Sequence, residues 1–177
     1  MDIETFLAEH VRGSVQHKRF YHFTDKKNLA SIRKHGLLCT SELRRLNLLD
    51  SVATGGDENS LATDTAKGTD KFVCLCFTTN HPMHYIVRTQ RGLDPVYLHV
   101  SPEVIKFPDV MITDAPSNKS GIVPQSAGEA LDKLDLEVLY KRTDWRQAEI
   151  RSRLQTAEKY EILIPSRVPV EAIIHGL

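Results

Sequence analysis

Side chains with catalytic or binding capacity concentrate in three stretches: Tyr21-His22-Phe23-Thr24, Phe77-Thr78-Thr79-Asn80-His81-Pro82-Met83-His84-Tyr85 and Tyr160-Glu161-Ile162-Leu163-Ile164. His22 and Thr24 stand two residues apart in an aromatic run, so on a strand both point to one face and can grip one ligand. The alternative is structural: an imidazole bonded to a backbone carbonyl and a threonine capping the next helix. Asn28 offers the same choice between ligand and turn. In the second stretch, polar groups stand where an apolar strand ends and a helix begins, which is where ligands bind, with Thr79 or Asn80 as the expected helix cap.

Zinc is the rival chemistry. Cys74 and Cys76 share a strand face, His81 and His84 share a helix face, and four such ligands can close around the ion. The spacing matches no common zinc pattern and free cysteines usually pack as small apolar residues, so no metal is expected. Glu161 opens the last apolar strand; a carboxylate there is a solvated charge unless a site claims it. Glu149 and Glu158 read as surface charges on a helix. Arg146, Arg151 and Arg153 bring positive charge just before the strand, to face phosphates or neighbouring acids.

The elements that hold these groups follow from periodicity and punctuation. Residues 2–11 place Ile3, Phe6, Leu7 and Val11 on one helical face, broken by Gly13-Ser14. Residues 19–24 predict a strand, after which Asp25 caps a helix carrying Leu29 and Ile32 and stopped by Gly36. Thr40 and Ser41 cap a helix with Leu43, Leu46 and Leu49. From about 50 to 70 the chain is polar, with Gly55-Gly56 and five acidic residues, and predicts a long functional or mobile loop. Residues 72–77, nearly all apolar, predict a central strand buried on both faces. A helix with Pro82 in its first turn, a strand at 96–100, a short edge strand at 110–112 and a loop at 114–124 follow. Helices at about 126–135 and 144–158 precede a strand at 160–164 that Pro165 stops. Several connections are too short for a parallel crossover, so an α+β fold is expected rather than a doubly wound sheet.

A chain of 177 residues, 41% hydrophobic and 26% charged, fits one domain spanning 1–177. Lys plus Arg equals Asp plus Glu at 23 each, which excludes a global basic field, so any nucleic-acid contact must be a local patch. Cys39, Cys74 and Cys76 are an odd set not expected to form disulfides. With no signal-like N-terminus and no membrane-length apolar stretch, the expectation is a soluble cytoplasmic protein without a membrane partner.

Taken in order, residues 20–38, 77–85 and 159–174 resemble the DarT family of DNA ADP-ribosyltransferases. The first holds an aromatic-His-x-Thr pattern in Tyr21-His22-Phe23-Thr24, then Asn28-Leu29-Ala30-Ser31-Ile32, then Gly36-Leu37. The second follows a strand with Pro82-Met83 and aromatic Tyr85, and the third is similar to the family's closing strand, Glu161 included. The resemblance implies an ADP-ribosyltransferase-like fold, two small, roughly perpendicular antiparallel sheets forming an NAD⁺ cleft with helices outside. It implies transfer of ADP-ribose from the co-substrate NAD⁺ to a base in single-stranded nucleic acid, DNA favoured over RNA, by a toxin or phage-defence effector. A macrodomain antitoxin that removes ADP-ribose is the implied partner.

Under the resemblance His22 and Thr24 would hold the adenosine-side ribose. Asn28, Leu29, Ile32, Gly36 and Leu37 would line the pocket, Phe77, Thr78 and Tyr85 would form the opposite wall, and Glu161 would be the catalytic glutamate. The role suits a carboxylate, because breaking the nicotinamide bond builds positive charge on the ribose. The family also uses an arginine between the first two motifs, and Arg44 and Arg45 are the arginines of that span. The wording of the middle motif departs from the family's commonest form. Two alternatives therefore stand beside the enzyme: a non-catalytic NAD⁺, nucleotide or protein-binding module, and a transferase acting on RNA or protein.

Overall fold

The computed structural model describes residues 1–56 and 58–177. In chain order, α1 (Ile3–Phe6) runs on as a π-helical stretch, Leu7–Arg12, and leads to β1 (Phe20–Asp25), α2 (Leu29–His35), β2 (Leu37–Leu38), α3 (Thr40–Arg45) and α4 (Glu58–Lys67). Then come β3 (Phe72–Cys76), α5 (Pro82–Gln90), β4 (Pro95–Val100), β5 (Met111–Thr113), β6 (Gln125–Ser126), α6 (Ala127–Leu131), α7 (Leu136–Tyr140) and α8 (Ala148–Ala157). The chain closes with β7 (Glu161–Pro165), β8 (Arg167–Val168) and β9 (Ile173–His175).

Seven strands form one sheet in the order β6-β5-β7-β3-β1-β4-β9, and every pairing is antiparallel. The sheet is two halves joined at one point. β1 pairs with β4 along its whole length and β3 with β7 along theirs, but the backbone ladder of β1 with β3 is confined to Tyr21 opposite Cys76. The expected α+β class is present, and the two small sheets appear as the halves β6-β5-β7-β3 and β1-β4-β9. Where they separate, side chains of β1 and β3 line a cleft instead of pairing.

Alternation along the strands decides what reaches the cleft. On β3, Val73 and Leu75 turn into the core, against Ile162 and Ile164 of β7, while Cys74 and Cys76 turn toward the cleft. The strand read as buried on both faces is therefore core on one side and cleft floor on the other. Leu75, Ile162 and Ile164 are fully enclosed, and burial of such side chains contributes about 1.5–3 kcal/mol each.

A two-stranded ribbon, β2 with β8, was not legible in the sequence; it closes one end of the cleft. Gly36 makes it fit. Its φ of 77° lies in the left-handed region, and a Cβ there would collide with the Val168 carbonyl oxygen. Other expectations change in detail. The polar stretch 50–70 contains α4, whose Leu61 side lines the cleft, although Asp57 in that stretch lies outside the described residues. β5 is interior, between β7 and β6, rather than an edge. The helix read at 126–135 ends at Leu131 and a second, α7, begins at Leu136; that read at 144–158 starts at Ala148. β9 was also unforeseen. Among the described residues no helix is long and apolar enough to cross a membrane.

Candidate active site

The cleft, of about 320 Å³, is within the range of small-molecule sites. β1 supplies His22 and Thr24, α2 and its two ends supply Asn28, Ile32 and Gly36, the ribbon supplies Leu37, and β7 supplies Glu161. The outer wall is the segment Val52 to Gly56 with Leu61 of α4.

Glu161 is only 8% exposed. Strand pairing sets it between Cys76 of β3 and Thr113 of β5, on the face that opens to the cleft. Its Oε2 accepts a hydrogen bond from the Ser117 backbone N–H at 2.8 Å, and its Oε1 lies 3.5 Å from His81 Nε2. Burial pushes its pKa above the ordinary carboxylate value, and the Ser117 donors work against that shift. A carboxylate held out of water at a cleft floor stabilises positive charge that develops beside it.

His22 is half-buried. Its Nδ1 is 2.9 Å from the Cys74 carbonyl oxygen, so Nδ1 carries the proton and Nε2 is left as an acceptor; burial lowers its pKa and keeps the ring neutral. Thr24 Oγ1 accepts from Asn28 Nδ2 at 3.0 Å, which leaves the hydroxyl proton to give away. Asn28 does more than stabilise its own turn. Its Nδ2 donates to the Ala53 carbonyl and its Oδ1 accepts from the Ala53 N–H, both at 2.8 Å, so it pins the outer wall to the β1 side.

The rim acids are engaged locally. Asp25 accepts from the N–H groups of Lys27 and Asp94, Asp64 from the Thr69 hydroxyl, and Asp70 from Arg44 at 3.0 Å. Arg44 thus ties α3 to the turn before β3, while Arg45 pairs with Glu42 on the surface at 2.7 Å. Neither arginine lines the cleft. Among the described lining residues, the one lysine or arginine is Arg91, just after α5, whose Nη1 bonds to the Gly55 carbonyl. Sequence reasoning missed it, since a lone arginine after a helix carries no periodic signal.

The second stretch divides. Phe77 follows the core face of β3 and packs edge-on against Phe20 and Tyr160. Thr78, 2% exposed, accepts from the Asn80 N–H, and Tyr85 on α5 is 68% exposed; none of the three lines the cleft. Leu29 packs against the core. The helix cap is His81, not Thr79 or Asn80: its Nδ1 accepts from the Met83 N–H at 3.3 Å. Cys74 and Cys76 line the cleft, while His84 stacks on Tyr97 with ring centroids 4.6 Å apart. Among the described residues no group of three or more His, Cys, Asp or Glu side chains is placed to hold a metal ion. Near β7, Glu158 is half-buried beside Asn80 rather than solvated, and Arg153 is committed to Asp135 and Glu137 at 2.7 Å each.

Several solved structures share the fold. Thermosipho africanus DarTG in complex with ADP-ribose superposes with a TM-score of 0.65 at 21% identity, over 88% of this chain and 42% of that one, so the chain spans less than half of that relative's length. Thermus sp. 2.9 DarT in complex with ADP-ribosylated ssDNA gives 0.62 at 17% identity, over 90% and 82%. The same Thermus protein in complex with NAD⁺ gives 0.56 at 18% identity, over 87% and 78%. A search of curated protein sequences gives no match. The profile of the family described as ssDNA thymidine ADP-ribosyltransferase, DarT, matches residues 21–175, which takes in β1, the cleft and Glu161. By that match the chain belongs to the DarT family.

Proposed function

We propose that this chain transfers ADP-ribose from NAD⁺ to the thymidine base of single-stranded DNA, with Glu161 as the catalytic carboxylate. The observation that carries the proposal is the placement of Glu161: the family's closing-strand glutamate is buried at the floor of a cleft whose opposite side holds His22, Thr24 and Asn28. The donor set suits a dinucleotide. His22 Nε2 and the Glu161 carboxylate accept from sugar hydroxyls, the Thr24 hydroxyl donates to a sugar oxygen, the Arg91 guanidinium donates to phosphate oxygens, and Ile32 and Leu37 offer apolar walls.

His22 and Thr24 take the adenosine-side ribose, and Asn28, Gly36 and Leu37 take the nicotinamide end. As the bond from ribose C1′ to the nicotinamide nitrogen breaks, positive charge builds on the ribose, and Glu161 accepts from its hydroxyl and stabilises that charge. Apolar walls exclude the water that would divert transfer into hydrolysis. The bond from C1′ then forms to a ring nitrogen of the base, which gives up its proton to solvent. An unpaired base is the fitting acceptor because a paired one must first leave the stack. The whole cycle uses no metal. A cytoplasmic toxin or phage-defence role, opposed by a macrodomain that removes ADP-ribose, completes the proposal.

Labelled NAD⁺ incubated with separate pools of single-stranded DNA with and without thymidine, duplex DNA, RNA and protein tests it. Label in the thymidine-containing single strand is expected. Label in protein or RNA instead, or NAD⁺ bound with no transfer, overturns it.

A further inference from the structure

His81 has a second nitrogen that the helix cap does not use. Nδ1 accepts the Met83 N–H, so the ring proton sits on Nε2. The ring is buried, 3% exposed, and tilted beside Phe23 with centroids 6.0 Å apart. Nε2 has no hydrogen-bond partner within the usual geometry, yet the atom 3.5 Å away is Glu161 Oε1. A buried N–H costs stability unless it is satisfied, and the carboxylate oxygen beside this one is the acceptor it faces. Ser117 already holds the other oxygen.

Resting on the transferase reading of the cleft, we propose that His81 is a positioning residue for Glu161, whose Nε2–H fixes the rotamer of the carboxylate and favours its charged form. Burial pushes the His81 pKa down to about 4, so across the neutral range the contact is a neutral imidazole donating to a carboxylate, not an ion pair. The titratable groups facing Glu161 are Cys74 and Cys76 of β3, Asp64 of α4 and His81; Tyr97 of β4 faces His81. Burial raises both thiols and the phenol, which stay protonated, so near neutral pH the balance lies with Glu161, Asp64 and the His81 donor.

Two substitutions separate the ring nitrogens. Asn reproduces the position of Nδ1 and keeps the cap, whereas Gln reproduces that of Nε2 and keeps the donor. His81→Asn is expected to lower kcat about tenfold with KM for NAD⁺ within about twofold, and to move the acid limb of the pH profile upward. His81→Gln is expected to return the acid limb toward that of the unaltered protein. Wild-type behaviour of His81→Asn, or equal losses in both variants that track thermal stability, overturns the proposal in favour of a plain cap.

Two measurements do not depend on turnover. Imidazole ¹⁵N NMR of the unaltered protein is expected to show the Nε2–H tautomer, and the Nδ1–H tautomer overturns the proposal. Carboxyl ¹³C NMR, with Glu161 assigned by its loss in Glu161→Gln, is expected to titrate higher in His81→Asn. Absence of transfer by the unaltered protein would end the transferase reading while both spectra still decide the His81 contact.

Discussion

The floor and the outer wall of the cleft are built by opposite means. The floor is strand: Glu161 stands in a row with Cys76 and Thr113, backed by the fully buried Ile162, Leu163 and Ile164, and backbone ladders hold it on both sides. Among the described residues the outer wall, from Val52 to Gly56, pairs with no strand. It is held by side chains reaching across, Asn28 to the backbone of Ala53 and Arg91 to the carbonyl of Gly55. A group that must meet developing charge belongs on the rigid part, because a preorganised charge need not reorganise as reaction proceeds. A wall that must admit a long ligand belongs on the adjustable part. The floor should therefore govern the rate and the wall the affinity.

The largest expected effect breaks the floor. Glu161→Gln keeps the shape and an acceptor for the Ser117 N–H but removes the charge, so kcat should fall on the order of a hundredfold to a thousandfold while NAD⁺ affinity holds. Calorimetric titration with NAD⁺ beside a transfer assay on thymidine-containing single-stranded DNA reads both. Glu149→Gln, on exposed helix, is the matched control and should change neither. Glu158 does not serve as that control, because it is half-buried and bonded to Asn80. If Glu161→Gln turns over normally, the closing-strand glutamate is not the catalytic one.

A smaller effect tests the wall. Asn28→Ala removes both bonds to Ala53 and the bond to Thr24. At about 0.5–1.5 kcal/mol for each of the three hydrogen bonds, the NAD⁺ dissociation constant should rise roughly tenfold or more, with kcat at saturation changed much less. Amide exchange at Ala53 should quicken in parallel. A loss of kcat as deep as that of Glu161→Gln, with affinity intact, would erase the proposed division between floor and wall.

The same contrast explains what could be read in the sequence. The floor was legible because an apolar run such as Phe72 to Phe77, too short for a typical helix, reads as an interior strand, and because Glu161 opens another. The run could not show that Cys74 and Cys76 face a cleft, since both strand faces are apolar in sequence. α4 was illegible: among Asn59 to Lys67 its large apolar residue is Leu61, and polar helices carry little periodic signal. His22, Thr24 and Asn28, which line the cleft, were singled out by motif spacing. The same motif logic misplaced Phe77, Thr78 and Tyr85, because it recorded their order along the chain and not the alternation that turns Phe77 inward. His81 was noticed, but as a zinc ligand or a cleft residue, and its tie to Glu161 exists only in three dimensions.

The smallest expected effect concerns the floor's cysteines, and it sharpens the comparison by asking whether the floor is anything more than carboxylate and packing. A zinc site needs thiolates, and zinc itself would have to deprotonate Cys74 and Cys76, which burial and the nearby charge of Glu161 keep protonated in its absence. It also needs its histidines to converge on the sulfurs. His81 has one nitrogen spent on the α5 cap, and the other faces Glu161; His84 stacks on Tyr97. The purified protein is accordingly expected to carry no stoichiometric zinc by elemental analysis. Chelator treatment should leave transfer unchanged, and Cys74→Ser should alter activity by less than about threefold, the scale of a small packing change. Zinc at one ion per chain, lost in Cys74→Ser together with activity, would make the floor a metal centre and require Glu161 to be read as part of it.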